Sequence, residues 1–190
     1  MNKSIIREFL ENPEPEREIP EGNWKRAAVL AAFLPGEHGE ELLFTRRTDH
    51  VLDHKGQVSF PGGAVEPHDG SIEMAALREA GEEIGIEPDE VEILGRSKDM
   101  FSNSGWWITP VIGWMERKPR FTPNPVEVSR IFTLPVDWLA DPSNWEKRTY
   151  IMDGIPRHNV IYYRRYDNEL LWGITAQLVH DLLQRLHLMK

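Results

Sequence analysis

The chain predicts a layered α/β domain, and three observations carry that expectation. Short strand-like runs punctuated by Gly and Pro fill most of its length. Two segments, Ile72–Ile84 and Thr175–Leu188, switch to helical periodicity. An apolar run, KRAAVLAAFL at Lys25–Leu34, has the composition of a buried strand. Strands with interspersed helices pack as one layered domain, and 190 residues suffice for a core. The expected division is an N-terminal helix and Pro/Glu-rich linker over 1–24, then the domain over 25–190.

Taken in order, Ser4–Leu10 reads as a short helix and Glu11–Asn23 as a Pro-broken linker. After the buried strand, Gly36–Gly39 turns the chain into Glu41–Arg46, its hairpin partner. Thr48–Lys55 is a polar loop, Val58–Phe60 a short strand, and Pro61-Gly62-Gly63 a sharp break. The first long helix has Ser71 as N-cap, Met74 where a capping box would place Glu, and Gly85 as its stop. Ile72, Ala76, Ala80 and Ile84 form its apolar side. Strands follow at Val91–Asp99, Trp107–Glu116 and Ser129–Leu134, with a Pro-containing loop at Phe121–Pro125 and a helical turn at Pro135–Leu139. Trp145–Met152 and Asn159–Tyr166 pair around Asp153-Gly154, and Glu169–Trp172 is a last short strand. The closing helix presents Ala176, Val179, Leu182, Leu183 and Leu186 to the core, with Thr175 as its cap.

Composition excludes several functions. A formal net charge of −9 argues against a nucleic-acid partner, which needs a basic patch. Zero Cys removes disulfides and thiolate metal sites and fits a reducing compartment. No apolar run approaches bilayer-spanning length, and the first residues lack the apolar core and small-residue cleavage site of a signal peptide. The expectation is a cytoplasmic protein with no membrane partner.

The chemistry concentrates in GGAVEPHDGSIEMAALREAGEEIGI, residues 62–86. Helical spacing places Glu79 on the face of Glu82 and Glu83, and each like-charged pair costs a helix about 0.2–0.5 kcal/mol. A solvated acidic face explains Glu82-Glu83 alone; the set spacing of Gly62, Gly63, Arg78, Glu79, Glu82, Glu83 and Gly85 favours a cation site. Hard oxygen donors favour Mg²⁺ or Mn²⁺. Arg78 stands four residues before Glu82, in reach to fix its rotamer.

GG…REAGEEIGI resembles the Nudix box of the Nudix hydrolases, with one departure: Gly63 to Arg78 is one residue longer than that pattern, and its early Glu falls near Asp69. The offset resembles the coenzyme A pyrophosphatase branch, into whose box fall Pro61, Gly62, Gly63, Glu66 (for Asp), Asp69, Ser71, Ala76, Leu77, Arg78, Glu79, Ala80, Glu82 and Glu83. An upstream signature of that branch is matched by Leu43, Phe44, Thr45, Arg47, Gly56, Phe60 and Pro61. Thr48 replaces its Ser or Ala, and Leu52 replaces an Arg. Leu170–Leu183 resembles the branch's C-terminal stretch.

The resemblance implies an α/β/α sandwich with a central mixed sheet and a metal-dependent pyrophosphohydrolase. For coenzyme A the implied products are phosphopantetheine and adenosine 3′,5′-bisphosphate. Glu79 and Glu83 are the expected metal ligands, with Glu82 assisting and a backbone oxygen of Gly62 or Gly63 adding a ligand. Glu82 and Glu127 are both candidates for the base, Glu127 being set against an ordinary loop Glu. Arg46, Arg47, His54, Gln57 and Phe60 are the expected substrate contacts, and Arg46, Arg47 and Lys55 would make the cleft positive. Trp106-Trp107 is read as core packing ahead of adenine stacking. The partner is a small-molecule diphosphate, with a homodimer left open. The missing Arg at Leu52 motivates an alternative, cleavage of ADP-ribose or nucleoside-diphosphate sugars. A non-catalytic nucleotide sensor is the second alternative, and the intact Arg78-Glu79-Glu82-Glu83 set speaks against it.

Overall fold

The structure, a computed structural model, describes residues 3–11, 21–48, 56–152 and 154–189. Its centre is strand β1, Lys25–Gly36. Ala28, Leu30, Ala32 and Leu34 join one core, while Ala31 and Phe33 join another on the opposite face. Side chains alternate along a strand, so a run that is apolar at every position is what a strand covered on both sides requires. Each such Leu contributes about 1.5–3 kcal/mol by burial.

Strand β2 (Gly39–Arg47) pairs antiparallel with β1 across a hairpin. Strands β3 (Val58–Ser59) and β4 (Gly62–Ala64) follow; β3 pairs with β2 and β4 with β1. Helix α2 (Ile72–Ile84) leads to β5 (Glu92–Arg96), β6 (Met100–Phe101), β7 (Trp106–Trp114) and β8 (Val128–Pro135). β7 lies parallel to β1 and antiparallel to β5 and β6, and β8 pairs with β2, so the eight-stranded sheet is mixed. Helix α2 covers one face. On the other lie α1 (Lys3–Glu11), α3 (Val136–Ala140) and α4 (Gly173–Arg185), with the base of a hairpin formed by β9 (Trp145–Met152) and β10 (Ile155–Tyr163). This is the expected sandwich. No helix among the described residues is long and apolar enough to cross a membrane.

Helix α2 has the bounds its caps predict. Ser71 accepts from the Met74 N–H at 3.2 Å, and Gly85 closes the helix at φ 71°, donating to Gly81 O at 2.9 Å. Helix α1 is anchored: Ile6 is fully buried, Lys3 and Arg7 pair with Glu92 at 2.9 and 2.6 Å, and Arg185 donates to Phe9 O at 3.2 Å.

Four local expectations are corrected. The strand expected over Val91–Asp99 is shorter, because β5 ends at Arg96 and the next strand, β6, begins outside that range at Met100. Glu169–Trp172 makes only two isolated bridges, Tyr166 with Glu169 and Tyr162 with Trp172, and no strand. The second hairpin arm starts at Ile155, not Asn159, and a bulge between Arg157 and Val160 shifts its register. Thr175 lies inside the first turn of α4, whose N-cap is Trp172 with no side-chain cap bond.

Candidate active site

Strand β4 brings the Gly62-Gly63 break against β1 and under the exposed side of α2. Gly62 has φ 151°, and a Cβ there would meet Ala28 O and lie 2.6 Å from Val29 Cα. A Cβ on Gly63 would lie 2.5 Å from Glu79 Oε2. The glycines thus serve two different approaches: Gly62 to the neighbouring strand, Gly63 to a carboxylate.

Arg78 is the hub, though not as expected. It forks onto Asp69, with Nε to Oδ1 at 2.7 Å and Nη2 to Oδ2 at 3.0 Å, and its Nη2 also donates to Ala64 O at 3.0 Å. Its Nη1 pairs with Glu79 at 2.9 Å and reaches Glu82 only at 3.3 Å. The Arg78–Glu82 grip is therefore secondary. A bidentate carboxylate satisfies the guanidinium fork better than a flexible neighbour on the helix surface. Asp69 is buried, also accepts from the Glu66 N–H at 2.7 Å, and is held down to a pKa of about 2, first by its bond to Arg78. It is the site residue that the spacing marks only through the additional position before Arg78.

The carboxylates differ in surroundings. The Glu82 side chain is 59% exposed, whereas that of Glu83 is 4% exposed. Glu83 accepts from the Gly62 N–H at 3.2 Å and faces the Arg47 guanidinium at 3.5 Å. Burial nevertheless pushes its carboxyl up to about 7, helped by the charges of Glu127 and Glu79. Glu79 is likewise raised, by burial first and then by Glu82 and Glu127. Glu127 therefore belongs electrostatically to this group. Its loop is bonded to the helix end: Thr122 N–H donates to Ile84 O at 2.8 Å and Asn124 N–H to Glu83 O at 2.9 Å, while the Asn124 side-chain amide reaches Glu127 at 3.4 Å.

The expected substrate contacts separate. Arg47 stands at Glu83, and its backbone N–H donates to Gln57 O at 3.0 Å. Arg46 faces away, its guanidinium 3.8 Å from the buried Glu169. Phe60 is corrected to core: it is 3% exposed and stacks on Phe44 at 4.9 Å. His54, with Leu52 and Lys55, lies outside the described residues. Trp106 and Trp107 are half-buried, with Lys25 and Arg26 over their rings at 5.6 and 4.2 Å.

Among the described residues no three His, Cys, Asp or Glu side chains form a ready metal cage. The donor set still suits a hard divalent cation. All the donors are oxygens, Gly63 leaves the Glu79 carboxylate uncrowded, and two acids raised by burial lack sufficient positive charge.

Removing Asp69 tests the hub. Asp69→Ala is expected to cost about 3 kcal/mol, the order found when one partner of a buried ion pair is lost. Asp69 is depressed in the fold from 3.8 to about 2, so its contribution is full above pH 3.8 and fades as pH falls through 2. Urea unfolding should show the gap from wild type at pH 7 and its closure at low pH; equal midpoints at pH 7 would contradict this role.

Comparison with known proteins bears on the family and the fold. The NUDIX domain family model matches residues 24–153. A protein described as an uncharacterized Nudix hydrolase NudL from Yersinia pestis (strain Pestoides F) is 33% identical over 190 residues, covering 97% of this chain and 94% of that protein. A MutT/nudix family protein structure from Enterococcus faecalis superposes with a TM-score of 0.54 at 15% identity, covering 98% of this chain and 75% of that one. A Nudix hydrolase from M. smegmatis, RenU, gives a TM-score of 0.51 at 24% identity, covering 61% of this chain and 73% of that one.

Proposed function

The chain belongs to the Nudix hydrolase family, diphosphatases that require divalent metal ions, and on that premise we propose that it cleaves the diphosphate of coenzyme A or a derivative. One observation carries the substrate reading. The upstream signature and the Nudix box meet in space, because Arg47 from the first reaches Glu83 of the second while its main chain is bonded to Gln57.

In this reading Glu79 and Glu83 hold Mg²⁺ or Mn²⁺, with Glu82 at the exposed rim and a Gly63 main-chain oxygen as a further donor. When bound, the cation supplies charge neutralisation at the phosphate oxygens and a more acidic water. Arg78, fixed by Asp69, keeps Glu79 oriented. Arg47 offsets the negative charge beside Glu83 and is placed to meet a substrate phosphate. Glu127 takes the proton from the attacking water; it is half-buried and adjoins both ligands through their fields. Glu82 is the less suited base because its carboxylate is solvated.

The measurement is a substrate panel with Mg²⁺: coenzyme A, dephospho-coenzyme A, ADP-ribose and a nucleoside-diphosphate sugar, with products resolved by chromatography. Phosphopantetheine and adenosine 3′,5′-bisphosphate are expected at the highest kcat/KM. Preferred hydrolysis of ADP-ribose would transfer the assignment to the second reading, which Leu52 in place of Arg favours.

A further inference from the structure

A cleft of about 820 Å³ lies between the β9–β10 hairpin, the β6 turn and the start of α4. Gln57, Phe101, Tyr150, Arg157, Trp172 and Thr175 contribute to its lining. Gln57 joins it to the site, since the Gln57 main chain is bonded to Arg47. Two features give the cleft its chemistry. One is an aromatic wall: Tyr150 packs on Trp172 at 5.1 Å, Trp172 stacks on Tyr162 at 5.2 Å, and Phe101 lies on the β6 side. Tyr150 is left 37% exposed. The other is Arg157. It is the cross-strand partner of Tyr150, so both side chains rise from one face of the hairpin. Its Nε is buried and has no hydrogen-bond partner. A buried donor left unpaired is unfavourable, and a guanidinium fork matches phosphate oxygens. The N-terminus of α4, with no side-chain cap, opens into the same space and favours negative charge there as well.

Resting on the coenzyme A reading above, we infer that this cleft holds the nucleoside half of the substrate, its base against the Tyr150–Trp172 wall and a ribose phosphate on Arg157. Arg157 then supplies the cation that Leu52 withholds, and the 3′-phosphate is read from the C-terminal hairpin. The other half of coenzyme A beyond the diphosphate, a flexible uncharged arm, would leave the Arg157 donor unsatisfied.

Binding of adenosine 3′,5′-bisphosphate and of 4′-phosphopantetheine to the full-length protein without metal, followed by titration calorimetry, separates this from the catalytic assignment. Arg157→Gln is expected to weaken the bisphosphate about tenfold, as loss of a charge-assisted bond of ~1.5 kcal/mol would, with partial recovery in Arg157→Lys and no change for phosphopantetheine. In turnover, the KM for coenzyme A should rise by about the same factor, while that for dephospho-coenzyme A stays within twofold. Unchanged bisphosphate affinity in Arg157→Gln would overturn the inference even if wild-type protein cleaves coenzyme A. So would weakened binding of phosphopantetheine alone. Arg157-dependent bisphosphate binding by a protein that does not hydrolyse coenzyme A would uphold it and remove the coenzyme A cleavage reading instead.

Discussion

Glu83→Gln lowers kcat by about three orders of magnitude and leaves the metal-free protein folded. Loss of a single group that stabilises developing charge costs about 10²–10³-fold in turnover, and Glu83, as the proposed direct ligand, belongs at the upper end. The reason the fold survives is not that Glu83 is exposed, because it is buried. It is that burial already opposes its charge. The carboxyl is raised from 4.5 to about 7, so the folded state binds its proton more tightly than the unfolded chain. That contribution is complete below pH 4.5 and is lost as pH rises through 7. Near pH 8 the ionised group therefore weakens the metal-free fold, and a neutral Gln removes this penalty. Thermal unfolding in chelator should show wild-type stability falling between pH 5 and 8 and a flatter profile in Glu83→Gln. The same proton competes with the metal, so wild-type Mg²⁺ affinity should increase across that range. Wild-type turnover in the variant would refute the ligand assignment, and identical pH profiles would refute the charge argument.

Gly62→Ala is expected to destabilise by about 3 kcal/mol or more. Two costs combine, each of order 1–3 kcal/mol: a non-glycine residue at φ 151°, and a methyl group driven into the β1 backbone at Ala28 and Val29. For a chain of this size that corresponds to a drop of roughly 6–12 °C in Tm. Gly63→Ala makes a useful contrast, because its methyl meets the Glu79 side chain and not a neighbouring strand. It should retain more stability and lose more activity. Calorimetry and Mg²⁺-dependent turnover of the pair check both statements; Gly62→Ala melting with wild type would exclude the close approach.

Helix α2 was readable from residue 72 to residue 84 because its caps are local: a Ser hydroxyl three residues before Met74 N–H, and a glycine free to take positive φ. Strand β4 was not readable. Gly62-Gly63-Ala64 has no side-chain alternation, and its identity comes from pairing with β1, more than thirty residues earlier. The difference between Glu82 and Glu83 was hidden for a related reason. Adjacent helix positions differ by about 100° in direction, but which one turns inward depends on where Gly62 and Arg47 arrive. Phe60 shows the converse. Its place in a motif suggested contact with substrate, while the stacked Phe44 ring claims it for the core. Arg46 and Arg47 are consecutive on β2, and strand alternation separates the one beside Glu169 from the one beside Glu83.

The two bonds from the 122–124 segment to the carbonyls of Ile84 and Glu83 have a mechanical consequence. They tether the proposed proton acceptor to the same turn of backbone that carries a proposed ligand. When that turn tilts or breathes, both groups ride with it, and the gap between them is buffered against thermal wobble that a free loop would transmit.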